Sequence, residues 1–413
     1  MKIGYACTPL LLHYKTTRKI LLKYYSEELL ITLIKENLDD LLNILNYNSL
    51  NNINLFRISS DIIPLASHKI NTFSWYNYFD KELRNIGDYI KNNSLRVSMH
   101  PGQYTVINSP KKDVVEKSIL DLKYHADFLD SLNLDRSHKI ILHIGGIYGD
   151  KKSAIERFIK TYNNLDDNIK NRLVIENDEK NFSMDDLLYI SQLCSIPVIF
   201  DNLHNSCFND NKYSLYDIFK KVSNTWSTLD GNMKVHYSQQ HPFKKKGAHS
   251  STLNIDKFLE YFNICKDFNP DIMLEVKDKN ISAIKVLNSI SELSNTPSIS
   301  SLNSEFDKYK FILLEQGDTT FNKASSIINN DKSFIKFYKF IDEIIYSETT
   351  LQNKKQVLKE IEKKIRDDIE NREFKYFNKL LQEEDYIKCK NYLYKLILKY
   401  NNPLSKSYYF INY

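Results

Sequence analysis

The sequence predicts a (β/α)8 TIM barrel, an α/β fold, followed by an appended all-α segment, and three observations carry that prediction. Eight short apolar runs lie within the first 280 residues, stretches of helical periodicity separate them, and almost every run leads into His, Asp, Glu or Lys at its C-terminal end. Strands alternating with helices require a parallel sheet with right-handed crossovers, and a count of eight favours closure over an open sheet. Because barrel active sites form at the C-terminal strand ends, one ligand-type residue per strand end predicts a multi-metal cup.

The first strand is Ile3 to Ala6. It runs into Cys7-Thr8-Pro9-Leu10 instead of the Gly-rich turn that would open a dinucleotide-binding sheet. A helix from Glu27 to Leu45, with apolar residues three and four apart, leads to the second strand, Leu55 to Ser59, and the Asn-rich stretch from Asn46 to Asn54 between them reads as loop. The third run, Arg96 to Met99, ends at His100 and is followed by a helix from Val114 to Leu132. Lys139 to Leu142 then ends at His143, Leu173 to Ile175 at Glu176, and Pro197 to Phe200 at Asp201. The seventh strand, Met233 to Tyr237, carries Lys234 and His236 two apart, hence on one face, the barrel interior. Asp271 to Leu274 ends at Glu275.

Beyond Ser300 only helical patterns remain, from Glu305 to Glu315, Ser333 to Tyr346, Leu351 to Glu370 and Tyr386 to Tyr400. The expected division is a barrel over 1–296 and a helical accessory domain over 303–413, joined by the small polar stretch Thr296 to Ser301. Lys and Glu alternate from Lys354 to Glu373, which reads as a solvated helix face rather than a nucleic-acid surface.

At 413 residues the chain exceeds a single barrel of about 250, so an appended domain is natural. A net charge of +5 permits contact with phosphates without requiring it. The five cysteines lack metal-type pairing, no apolar run approaches the roughly 20 residues of a membrane span, and the N-terminus lacks a signal-like apolar core. A cytoplasmic monomer, associated with the nucleoid in a prokaryote, is therefore expected.

His100, His143, Glu176, Asp201, His204, His236, His249 and Glu275 stand at or just after strand ends. Any one of them alone reads best as a satisfied structural residue. Jointly that reading fails, because buried charge without a partner is costly and six of eight strands place such a group at the same end. Three neighbouring divalent ions need about a dozen ligand positions, and His nitrogens, carboxylates and waters fill them here. The remaining histidines, His13, His125, His138 and His241, read as surface or loop residues.

Particular segments resemble the UV damage endonuclease family. They are Phe56-Arg57-Ile58-Ser59-Ser60 with Pro64-Leu65-Ala66-Ser67-His68, His100-Pro101-Gly102-Gln103-Tyr104, His143-Ile144-Gly145-Gly146-Ile147-Tyr148-Gly149 and Glu176-Asn177-Asp178. Asp201-Asn202-Leu203-His204, Lys234-Val235-His236, Gly247-Ala248-His249 and Leu274-Glu275-Val276-Lys277 follow in the same order, so the resemblance covers roughly residues 1 to 295. It implies a single-protein nuclease, with a barrel related to endonuclease IV, that nicks DNA immediately 5′ of cyclobutane dimers and 6-4 products and leaves a 3′ hydroxyl and a 5′ phosphate. The implied cofactor is a cluster of three divalent ions, most often manganese (Mn2+), with zinc, cobalt or magnesium as alternatives.

The resemblance also implies roles. Glu176 would bridge an ion completed by His100 and His143 and a second completed by Asp201, His236 and Glu275, with His204 and His249 on a third. Glu176, Lys234 and His68 are the expected catalytic residues. Lys234 would be carboxylated and complete the third site, where Gly247 leaves a gap that endonuclease IV fills with an acidic ligand; the alternative is a lysine that contacts the scissile phosphate. His68 would orient a water or a phosphate, or simply cap its loop. Gln103 and Tyr104, on a turn containing Gly102, would fill the gap left by displaced bases, since extruding a dinucleotide costs least at a distorted pair; otherwise Tyr104 packs on its own loop. Tyr5 would line the same pocket, although Ala6-Cys7-Thr8-Pro9 lacks an Asn found in some members. Lys244, Lys245 and Lys246 would hold DNA phosphates, or form a solvated turn. The C-terminal segment faintly resembles a helical domain of unknown function found near photolyase genes.

Three rivals remain at this level. An apurinic-site endonuclease of endonuclease IV type would need no wedge. A xylose-isomerase-like sugar isomerase or epimerase would need fewer ligands. A non-catalytic DNA-binding protein with a closed structural site would need about four.

Overall fold

The computed structural model describes residues 1–208, 212–411 and 413. Its first compact unit comprises Met1–Pro9, His13–Leu253 and Lys257–Ile284. Eight parallel strands form a closed barrel in sequence order: β1 (Ile3–Ala6), β2 (Leu55–Ile58), β3 (Arg96–Met99), β4 (Ile140–His143), β5 (Leu173–Glu176), β6 (Val198–Asp201), β7 (Lys234–Tyr237) and β8 (Asp271–Leu274). Ile3 pairs with Ile272 and Tyr5 with Leu274, which closes the barrel between first and last strands. The strands are buried nearly throughout, as expected for a parallel sheet covered by helices.

The N-terminal strand ends are latched by buried ions. Arg96, opening β3, pairs with Asp271, opening β8, at 2.9 Å and also donates to the Asp230 and Asn232 carbonyls. Asp271 spends its other oxygen on the Lys2 amide at 2.8 Å. Lys139 reaches Asp230 at 2.6 Å. Conserving charge for cohesion at this end leaves the opposite end for chemistry.

Two local readings need correction. The first helix runs from Glu27 to Leu50, five residues beyond expectation and into the Asn-rich stretch, because Asn48 is buried there and accepts the Tyr5 hydroxyl at 2.8 Å. Of the histidines read as surface or loop residues, His125 is buried within a helix and His138 is in a loop but buried; the His125 ring lies between the Asp121 carbonyl (2.6 Å) and the Ser60 hydroxyl (2.9 Å), and His138 Nδ1 accepts the Val97 amide at 3.1 Å. His241 is also buried, whereas His13 is exposed.

The second unit comprises Leu10–Leu12, Asn254–Asp256 and Lys285–Tyr413. Its helices include Leu302–Glu315, Phe334–Ile344, Leu351–Ile365 and Tyr386–Lys399, close to expectation, together with Asp318–Ser326 and Asn371–Gln382. The helix expected to reach Glu370 stops at Ile365, and Glu370 with Glu373 forms the capping box of the next one. Leu358, Ile361, Leu380, Leu393 and Ile397 build a core belonging to this unit. Among the described residues no helix is long and apolar enough to cross a membrane.

Candidate metal centre and active site

Glu176 closes β5 at the mouth of the barrel with 1 % exposure, and the neighbouring strand ends converge on it. The register pairs His143 with Glu176 and, two residues further along β6, Asp201 with His236. Glu176 Oε2 lies 3.2 Å from His100 Nε2 and 3.6 Å from His143 Nε2, while Oε1 lies 2.6 Å from His236 Nδ1 and 3.8 Å from His204 Nδ1. Glu275 Oε1 is 3.2 Å from His236 Nδ1. Three ligand groups result, each containing Glu176: with His100 and His143, with Asp201 and His204, and with His236 and Glu275. Asp201 thus groups with His204 rather than His236, because the turn after β6 brings the His204 amide onto Asp201 Oδ1 at 2.8 Å.

Two features fit this set to divalent ions. Asp201 Oδ2 and His143 Nδ1 are buried without a hydrogen-bond partner among the described residues, a costly state that a bound cation relieves. Three rings also donate Nδ1–H to main-chain carbonyls, His100 to Pro101 (3.0 Å), His204 to Asn177 (3.0 Å) and His249 to Glu275. That bond fixes the tautomer and leaves Nε2 bare, the usual support of a metal-binding imidazole. His249 lies outside the three groups, its ring centre 6.4 Å from that of His204.

Electrostatics push the members apart. Burial raises the Glu176 carboxyl, but His236, His143 and the hydrogen bonds from His100 and His236 outweigh it and hold it well below the usual range. Burial lifts Asp201 to about 6, helped by the charges of Glu176 and Glu275 against the pull of His204. His204 itself rises to about 9, since Asp201 and Glu176 overcome its burial. Crowded carboxylates that resist sharing a site without cations are the expected signature of an ion-binding cup.

Lys234, at the base of β7, is 1 % exposed and donates to Ser98 Oγ at 2.5 Å. Burial, then Arg57 and Arg96, holds its amine well below the ordinary lysine value. The phosphate-contact alternative is therefore corrected: a polymer backbone does not reach a side chain enclosed inside the barrel.

A cavity of ≈ 1210 Å³ opens beside the cup, with His100, His143, His68, Gln103, Tyr104 and Tyr148 in its wall. Tyr104 is 83 % exposed, which removes the reading that it packs on its own loop. His68 is exposed and its Nδ1 accepts the Ile70 amide at 3.1 Å, so it caps its loop while lining the cavity. Tyr5 is a second correction. Its ring is fully buried against Phe56, with the hydroxyl on Asn48, and does not line the cavity. Lys244, Lys245 and Lys246 are exposed on a loop that Gln240 staples, donating to the Lys244 and Lys245 carbonyls and accepting the Gly247 amide. Gly145, at φ 113°, lets the chain turn after β4; a Cβ there would collide with Asn108 Oδ1.

Two residues of the site lie in a segment quoted for the family resemblance but had no role assigned from the sequence. Arg57 extends from β2 into the cup, with Nη2 at 2.5 Å from Glu275 Oε1 and 2.9 Å from His236 Nε2. Ser60 donates to the His100 carbonyl at 2.7 Å and also touches His125, tying that ligand to the covering helix.

Fold and site together define a (β/α)8 enzyme whose strand ends assemble a His and carboxylate cup beside a cavity of ≈ 1210 Å³. The chain belongs to the UV-endonuclease UvdE family, whose model matches residues 2–307. It is 53 % identical over 413 residues, the full length of both chains, to the UV DNA damage endonuclease of Clostridium perfringens (strain 13 / Type A). The UV DNA damage endonuclease of Bacillus cereus (strain G9842) is 33 % identical over 310 residues, 73 % of this chain and 98 % of that protein. The crystal structure of SacUVDE superposes with a TM-score of 0.68 at 44 % identity, covering 71 % of this chain and 99 % of that one. The protein is accordingly a DNA endonuclease of the UV-damage family, and the apurinic-site, sugar-isomerase and binding-only readings are set aside.

Proposed function

We propose that the protein nicks duplex DNA immediately 5′ of cyclobutane dimers and 6-4 products, leaving a 3′ hydroxyl and a 5′ phosphate, with three divalent ions, manganese first among them. The convergence of four histidines and two further carboxylates around Glu176 carries this reading. His100 with His143, Asp201 with His204, and His236 with Glu275 would each hold one ion against Glu176, His249 adding a ligand beside His204. Bound there, the ions supply activation of a water and neutralisation of the charge on the scissile phosphate.

The chain's own residues do the rest. The imidazoles fixed through Nδ1 present Nε2 with little reorganisation. Tyr104, with Gln103, stacks into the gap left by the extruded lesion. Lys244 to Lys246 neutralise backbone phosphates, and His68, on the cavity wall, orients the strand. Lys234 would be the carboxylated residue, since burial favours the neutral amine, the form that takes up CO2. Residues 303–413 form an accessory domain, and the protein acts as a monomer.

The test is incision of a labelled duplex carrying one cyclobutane dimer, beside undamaged and abasic duplexes. Cuts one bond 5′ of the dimer with ligatable ends support the reading; cutting confined to the abasic duplex refutes it.

A further inference from the structure

The cup already contains a fixed cation. Arg57 is buried, and its bonds among the described residues run through Nη2 alone, to Glu275 Oε1 and the edge of the His236 ring. Its Nε is buried without a partner among those residues, so the guanidinium is held on one side only. Glu275 Oε1 is also the oxygen that faces His236 Nδ1 in the third ligand group. An ion in that group and Nη2 therefore draw on the same oxygen. No such cation touches the His100–His143 or Asp201–His204 groups among the described residues.

We infer that Arg57 is a positioning residue that stands in for a divalent ion at the Glu176–His236–Glu275 group and must withdraw when that ion binds. Buried carboxylates with no counter-charge are strongly destabilising, so a metal-free cup gains from a resident monocation. The same charge opposes a second cation a few ångströms away, in a setting where water screens it poorly. Two opposite effects follow from one side chain: Arg57 steadies the empty cup and weakens one of its three ion positions, which fills last. Supporting residues around metal ligands ordinarily strengthen binding, so the sign separates the two roles.

This inference rests on the metal reading of the cup, and the experiment separates the two. The full-length protein, stripped with chelator, is titrated with MnCl2 by calorimetry, its bound manganese is counted, and the melting of the stripped form is recorded for wild type, Arg57→Met and Arg57→Lys. Expected for Arg57→Met are a weakest manganese site roughly tenfold tighter than in wild type and a lower melting temperature of the stripped form. Arg57→Lys, whose compact ammonium cannot span both groups, shifts the weakest site the same way by less, and it carries the test if Arg57→Met does not fold when stripped. Unchanged or weaker manganese binding in the variants overturns the inference while leaving the cup intact. A wild-type protein that binds no manganese overturns the metal reading itself and the inference with it.

Discussion

Individual side chains here divide by what surrounds them. Tyr104 is exposed and so owes nothing to the core; Tyr104→Ala is expected to leave melting within about 0.5 kcal/mol of wild type while sharply reducing nicking at a dimer, as paired melting and incision assays would show. Tyr5 is the converse. Tyr5→Phe strands a buried Asn48 oxygen and is expected to cost about 1–2 kcal/mol in urea unfolding, with affinity for dimer-containing DNA unchanged. A loss of DNA affinity would restore Tyr5 to the lesion pocket. The strand-end members of the three groups around Glu176 were legible in the sequence because a polar residue closing an apolar strand is itself anomalous, whereas His249 lies outside those groups. Arg57 was not legible, since its value lies in a pairing with Glu275 across 218 positions that only strand register creates. The carbonyl acceptors of His100, His204 and His249 were equally hidden, being main-chain atoms without a residue signature.

At the scale of elements, the strands were readable because a short apolar run closed by a ligand-type residue fits little except a barrel strand. Helix ends were not, where tertiary contacts override composition: buried Asn48 extends the first helix through an Asn-rich stretch, and the Glu370–Glu373 capping box divides a charge-rich run into two helices. The floor of the barrel yields two expectations. Asp271→Asn removes the charge that pairs β8 with Arg96 and leaves that guanidinium buried, with an expected loss of about 3 kcal/mol measurable by urea unfolding. His138, which accepts the Val97 amide between β3 and β4, is lowered to about 4 by burial, with Arg96 and Arg172 adding to the fall and Asp135 opposing it. Its folded value lies below its unfolded value, so the fold prefers the neutral ring. Stability from this group is complete above about pH 6.5 and is lost as pH falls toward 4, by up to roughly 3 kcal/mol. His138→Asn keeps an acceptor without a titrating ring, and the drop in unfolding free energy between pH 7 and 5 should be visibly smaller in that variant than in wild type.

For the whole molecule, the barrel separates labour between its ends: buried ion pairs hold the N-terminal strand ends together, and the C-terminal ends gather carboxylates and imidazoles around Glu176. The helical unit over Lys285–Tyr413 has a core of its own, and its general character was legible from the loss of strand signals, while its helix count was not. Whether the Glu176 cup is a divalent-ion site that drives incision is decided by nicking of a single-dimer duplex with the protein chelator-treated, restored with manganese, and carrying Glu176→Gln. Incision 5′ of the dimer is expected to disappear with chelator, to return with manganese and to be absent in Glu176→Gln with fewer manganese ions bound; undiminished cutting by the chelated protein, or by Glu176→Gln, would show that the cup does not drive incision.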